Sequence, residues 1–422
     1  MAVSTRVPRN AGILKDSMRA VSLLLLLITV RLASAQIQNA GIDEAVLELS
    51  VITGWKPLKK VQHDTMDRTA LKRYLEEKVQ EEIKPEEIRA EEIALKKLGF
   101  VPQDFDLSRT MIDLLTEQAA AFYDYKKKKL FLLDGGDPAA QSMVVFHELA
   151  HALADQRFDL NKFIRKGKSD DSSLARMAVM EGQATWLMME STSRKAGQSL
   201  KDLPPAILDM ANRNGDAASQ YPVLAAAPLY IRASLLFPYA EGLRFNHMVV
   251  QKEGQAGFAR VFREPPVSSQ QIMHPDAYFA NTRPIDVALP KLPDERGWRM
   301  VTSGTLGEFD HAILLEQYGL KDQARAIASH WRGSSAAVIE NKRDKRPVLL
   351  YASEWETAED ARKMFEAYRG ILKGKWKSMT VVTDTPTSLT GSGDDGDFRV
   401  SLTGTRVSSI EGLPPTPVAA VN

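Results

Sequence analysis

Met143-Val144-Val145-Phe146-His147-Glu148-Leu149-Ala150-His151-Ala152-Leu153 is the stretch on which the reading of this chain turns. Its apolar character, with Asp137-Pro138 ahead of it, predicts a helix to about Gln156, with Asp137 as N-cap and Pro138 in the first turn. On that helix His147 and His151 stand four residues apart, about one turn along the same face. Both imidazoles can then bind one metal ion. Glu148 lies beside them, where it can take a proton from an attacking water without being a ligand. Between Gln141 and Ala154 it is the sole charged residue, as expected of a helix packed around a dry catalytic centre. With seven histidines in 422 residues, a chance His-Glu-x-x-His is an event of roughly one in a hundred.

The chain contains no cysteine, which excludes disulfides, thiol nucleophiles, iron–sulfur clusters and thiolate zinc sites. A metal here must be held by His and carboxylate. Catalytic zinc takes three protein ligands and keeps one position open. A third His six residues after His151 would mark the metzincin arrangement, but that residue is Arg157, and Ala154 stands where the arrangement has Gly. The residue read as third ligand is Glu181, in Met177-Ala178-Val179-Met180-Glu181-Gly182-Gln183-Ala184-Thr185. It is a lone acid in a long apolar helical stretch, and burying it uncompensated would be costly. Gly182 would let its helix approach closely. The other reading places Glu181 on an exposed stripe, with Glu190, Asp170 and Asp171 as weaker substitutes.

The set His147, Glu148, His151 and Glu181 resembles the gluzincin metallopeptidases, although the 29 residues between His151 and Glu181 exceed the spacing of thermolysin-like members. The segments His147–Phe158, Glu181–Thr185, Phe237–Gly242 and Pro265–Pro275 resemble a group of secreted bacterial zincin-like proteins, the likeness running roughly from Leu71 to Leu372. The resemblance implies an α+β fold: a mainly helical zincin-like (gluzincin) domain with a small β-sheet, followed by a small C-terminal α+β module. It implies Zn2+ as cofactor and a peptide or protein as substrate. Zinc would polarise a water and the scissile carbonyl, with Glu148 as the general base that returns its proton to the leaving amine. By the same analogy, the strand around Leu130–Leu133 is the edge to which an extended peptide adds. Asp155, four residues after His151, either orients a ligand imidazole through its outer nitrogen or bonds neighbouring backbone or Arg157. For the donor that stabilises the oxyanion the candidates are Tyr230, Tyr239, His247 and His274. His274 is preferred because Pro275 pushes it out of helical geometry. His63, His311 and His330 lie in polar contexts outside the zincin-like region, with no expected role at the site.

Upstream, Arg6, Arg9, Lys15 and Arg19 precede an apolar run from Ala20 to Val30 and the small residues Ala33-Ser34-Ala35. This is signal-peptide architecture over residues 1–35, with cleavage after Ala35 and an exported, periplasmic or extracellular location. The run is short for a bilayer, and Arg31 argues against the alternative of a membrane anchor, so no span is expected after leader removal. Met18 offers a second, more compact start. Without the leader, 387 residues carry 50 basic and 53 acidic side chains, a net charge of −3 in place of +1. Neither value supplies the basic face that nucleic acid requires, and no nucleic-acid partner is expected. Nothing in the sequence sets the oligomeric state.

Further helices are expected from Thr69 to Leu98, divided at Pro85 and capped by Gly99; from Ser108 to Phe122; from Ser172 or Ser173 past Trp186; and from Pro228 to Val250. Tyr123–Tyr125 and Leu130–Leu133 read as a strand pair across four lysines, and Ser268–Gln271 as a capping box. The Pro and charge cluster from Pro284 to Arg296 reads as a linker between the zincin-like domain (36–293) and the C-terminal module (294–412). In that module the expected strands are Ala336–Glu340, Pro347–Tyr351, Phe398–Leu402 and Arg406–Ile410. An amphipathic helix covers Thr357–Leu372, a Gly/Asp turn Gly391–Gly396, and a disordered tail residues 413–422. Two other function classes fit the same residues. One is a zinc-binding interaction protein without turnover, and the other a zinc hydrolase of non-peptide amides or esters.

Overall fold

The computed structural model describes residues 39–118, 121–134, 138–208, 221–292 and 297–415. The expected signal peptide, Asp137 and the last seven residues lie outside these. The fold is α+β, with helices gathered in the first two thirds and a large antiparallel sheet in the last third. No helix among the described residues is long and apolar enough to cross a membrane.

Helix α1 (Asn39–Thr53) is followed by strand β1 (Gln62–Met66), then α2 (Arg68–Glu82), α3 (Pro85–Leu98) and α4 (Leu107–Gln118). Pro85 occupies the first turn of α3, where its missing N–H costs nothing, and Gly99 ends the helix at φ 84°. Strands β2 (Ala121–Asp124) and β3 (Lys129–Leu133) then lead into α5 (Pro138–Phe158), the helix of the His-Glu-x-x-His motif. Helix α6 (Asp170–Lys195) carries Glu181, and α7 (Leu229–Glu253) and α8 (Ala256–Arg263) complete the helical part.

The small sheet has the order β1-β3-β2, with β1 parallel and β2 antiparallel to β3. The strand expected as the peptide-binding edge, Leu130–Leu133, is therefore central, with both sides already paired. The edge beside α5 is β2. Helix α4 stops at Gln118, short of Phe122, which lies in β2 and pairs with Phe131 of β3. Helix α6 begins at Asp170, two residues earlier than expected, because Ser169 caps it by accepting from Ser172 N and the Ser172 hydroxyl accepts from Ser169 N.

Helices α6 and α7 cross with almost no separation. A Cβ on Gly182 would lie 2.0 Å from the Gly242 carbonyl carbon, and one on Gly242 would lie 2.3 Å from Ala178 O. Asn246 Nδ2 seals the crossing by donating to Gly242 O and Val179 O. The close approach that Gly182 permits is thus to α7. It fixes the rotation of α6 and with it the direction of Glu181.

After residue 297 come β4 (Trp298–Gly304), α9 (Glu308–Leu315), α10 (Lys321–Ala328), β5 (Trp331–Asn341), β6 (Pro347–Trp355), α11 (Ala358–Lys375) and β7 (Met379–Thr385). Strands β8 (Ser388–Gly393), β9 (Gly396–Thr403) and β10 (Arg406–Leu413) finish the chain. The sheet order is β4-β5-β6-β10-β9-β8-β7. Strands β4, β7 and β8 are additions to the sequence reading. The Gly/Asp turn shrinks to residues 394–395, because Gly391 lies within β8 and has no side chain to strike Thr380 O across the strand pair. Leu413 ends β10 and is not tail; residues 416–422 lie outside the described set. The expected linker packs along β5, with Ile285 N donating to Arg332 O and Ser335 Oγ to Val287 O. Helix α3 reaches across to the sheet through the Arg89–Glu340 and Lys97–Asp395 ion pairs. One continuous hydrophobic core runs from Ile42 to Val407.

Candidate metal centre

Helix α5 turns His147 and His151 toward α6, where Glu181 faces them. The Nε2 atoms of the two histidines are 3.1 Å apart, and each is 3.2 Å from Glu181 Oε2. With each Nε2 in its unprotonated tautomer, the two imidazole lone pairs and the carboxylate oxygen would repel one another at that range. A shared cation converts the repulsion into three bonds. A tetrahedral ion with ligands at 2.0–2.1 Å holds its donors roughly 3.3 Å apart, and the observed triangle is close to that size. All three side chains are buried, Glu181 at 2% exposure. Burial holds the His147 imidazole down to about 4, opposed by its bond to Glu181, so it is neutral as a ligand must be. Burial would raise Glu181, but the imidazoles of His151 and His147 overcome it and hold the carboxylate at about 2.

Glu148 is fully buried beside the triangle. Its Oε2 accepts from Tyr123 N on β2 at 2.8 Å, while Oε1 has no hydrogen-bond partner. Burial, together with the Glu181 carboxylate, pushes Glu148 well above the usual carboxylate range against the pull of the Tyr123 N–H. The base candidate is thus held by one oxygen and open at the other. Two phenols complete the surroundings: the Tyr125 ring lies 6.0 Å from His151 and the Tyr239 ring 6.2 Å from His147. Tyr125 follows the end of β2 in the turn, and its ring lies 5.7 Å from that of Tyr123, a spacing of two visible in Tyr123-Asp124-Tyr125. That pattern is the signal by which sequence reasoning could have assigned them to the site.

Several expected residues lie elsewhere. Asp155 does not turn to a ligand imidazole: its oxygens accept from Tyr123 Oη, Lys128 Nζ and Leu160 N, so it ties the β2–β3 hairpin to the end of α5. His274 Nε2 bonds Glu308 Oε1 at 2.7 Å, where α9 begins, because residues 269–273 and 275–279 form two short helices that carry it there. Tyr230 donates to Asp310, and His247 sits between Trp186 Nε1 and Leu203 O. Of the four oxyanion candidates, Tyr239 is the one placed against a ligand histidine. Glu190 accepts from Arg194, Ser199 and Leu200 N and caps the following turn. Asp170 and Asp171 sit at the start of α6. His311 is fully buried and bonds Gly307 O and Tyr351 Oη.

A family model described as a domain of unknown function, DUF8575, matches residues 296–422, which is the region of the large sheet. No curated protein and no solved structure matches the chain.

Proposed function

We propose that the chain is an exported zinc-dependent hydrolase, in the first instance a metallopeptidase, with His147, His151 and Glu181 as the zinc ligands and Glu148 as the general base. The observation that carries the reading is the triangle of donors at 3.1–3.2 Å with the orphaned Glu148 Oε1 beside it. Zinc, when bound there, would supply Lewis-acid polarisation of a water and of the substrate carbonyl. The Tyr123 N–H fixes the Glu148 carboxylate so that Oε1 can take a proton from an attacking water and pass it to the leaving amine. Tyr239 and Tyr125 offer phenolic hydroxyls for the developing oxyanion. An extended peptide would pair with the outer side of β2, the edge strand that carries Tyr123. The leader at residues 1–35 supports export.

Glu148→Gln keeps the shape and the ligands but removes the base. It should retain zinc at near-equimolar level, measured by elemental analysis, and lower the hydrolysis rate by about 10²–10⁴-fold. A purified chain that takes up no zinc would sink the proposal.

The near-complete burial of the ligands and of Glu148 favours one other reading, a zinc-binding protein without turnover. Cleavage of a peptide library that is lost on chelation and restored by zinc would exclude it.

A further inference from the structure

The start of α6 and the start of α9 meet in a group of buried acids that the metal centre does not use. Asp170, Asp171 and Asp310 are each 2% exposed and Glu308 is fully buried. The packing leaves no slack: a Cβ on Gly307 would lie 1.9 Å from Asp171 Oδ1. Ser269 bridges the two helix starts. Its N–H donates to Asp171 Oδ1 at 2.9 Å, and its hydroxyl accepts from Phe309 N at 3.2 Å. Asp310 accepts from Gly307 N and from the Tyr230 hydroxyl, and Thr305 N donates to Asp170. Asp171 Oδ2 and Glu308 Oε2 are buried with no hydrogen-bond partner among the described residues.

A buried carboxylate with an orphaned oxygen needs a cation or a proton. Among the described residues, three-donor groups that close to within 4.8 Å occur at His147/His151/Glu181 and at His330/Glu356/Asp360, and not at this junction. Among the described residues, the charged groups acting on Asp171 are Glu308 and Asp170, and those acting on Asp310 are Asp171 and Asp170, all acids. Glu308 has positive neighbours, the half-exposed His274 and, from α10, Arg325; Arg244 and Glu241 of α7 act in turn on His274. Of Asp171, Asp310 and Glu308, it is Glu308 that these positive neighbours reach.

We propose that this junction is a proton-dependent latch: it is closed while the acids around Asp171 hold protons, and it loosens as they ionise, so the sheet region grips the Glu181 helix more tightly in acid than in mildly alkaline solution. The latch stands whether or not the metal centre hydrolyses peptides. Burial, with Glu308 and Asp170 adding to it against the Ser269 bonds, raises Asp171 to about 7. Burial and Asp171 raise Asp310 to about 8. Burial also raises Glu308, with the His274 bond pulling the other way. Values raised above the ordinary 3.8 of Asp mean stability that is whole below about pH 4 and is lost as pH climbs toward 7–8. Across that window each such carboxyl favours the open form by up to about tenfold per pH unit.

Hydrogen exchange on the full mature chain between about pH 5 and pH 8, corrected for intrinsic rates, tests this. In wild type, the peptides holding the Ser269, Gly307 and Phe309 amides should lose about tenfold or more in protection as pH rises, while β8 and β9 hold theirs. Asp171→Asn, which imitates the protonated acid, should flatten that dependence. Equal pH dependence at the junction and at β8–β9 in wild type would overturn the latch without recourse to any variant. A wild-type slope retained in Asp171→Asn would do the same. Protection restored at about pH 8 by millimolar calcium or magnesium, in wild type and not in Asp171→Asn, would show that the acids hold a cation, and would also overturn it.

Discussion

The two buried acidic sites on α6 face the same physical problem and meet it differently. At Glu181 a carboxylate withdrawn from water finds two imidazole nitrogens at 3.2 Å, converging on one point. At Asp171, ten residues earlier on the same helix, the carboxylate finds other carboxylates and keeps an orphaned oxygen. Both are equally hidden, so burial alone does not tell a candidate metal site from a cluster of acids. What separates them is the chemistry of the neighbours. Convergent neutral donors call for a cation, while clustered acids call for protons.

Each end can be broken separately. The largest effect is expected at the metal end. Zinc at a thousandfold above its dissociation constant should stabilise the chain by about 4 kcal/mol, read as a rise in melting temperature, and Glu181→Ala should remove that rise together with the bound zinc. A zinc-independent melting temperature in wild type would put Glu181 on the same footing as Asp171. Gly182→Ala drives a methyl group into the Gly242 backbone and should cost about 3 kcal/mol by denaturant titration, lowering zinc uptake as α6 rotates. Full stability in that variant would mean that the crossing of α6 and α7 does not aim Glu181.

At the acid end, Asp171→Asn should add about 1–3 kcal/mol near pH 8 and nothing near pH 4, with zinc affinity unchanged. A gain that does not depend on pH would show that packing, not ionisation, limits the junction. The smallest effect is Ser169→Ala, which removes the cap of α6 and should cost about 1 kcal/mol at every pH. A pH-dependent cost would show that the helix start and the acid cluster are one unit.

The His-Glu-x-x-His spacing makes three residues of the candidate site legible, because a helix carries residues i and i+4 to the same face whatever surrounds it. Glu181 was legible by anomaly, as one acid in an apolar run. Asp155 follows the second of its two readings in bonding the nearby Leu160 N–H, and its other partners, Tyr123 and Lys128, like the Glu308 partner of His274, lie far away in sequence. Strand β1 escaped because Gln62-His63-Asp64-Thr65-Met66 carries no apolar alternation, and it exists through parallel pairing with β3. The edge strand was misplaced because order within a sheet is a long-range property. The apolar Leu130–Leu133 run, read as an edge, is what a central strand requires.

By itself the sequence determined the local pattern: a helix presenting two imidazoles and a carboxyl group, a chain without thiols, and an α+β composition. These follow from short-range periodicity and from an inventory of side chains. The tertiary structure alone decided which strand borders the imidazoles and that four other acids would be buried together. Those outcomes depend on how α6 packs between α5, α7 and the start of α9. That packing is set by the Gly182–Gly242 crossing and by a core shared along the whole chain, and no local pattern encodes either.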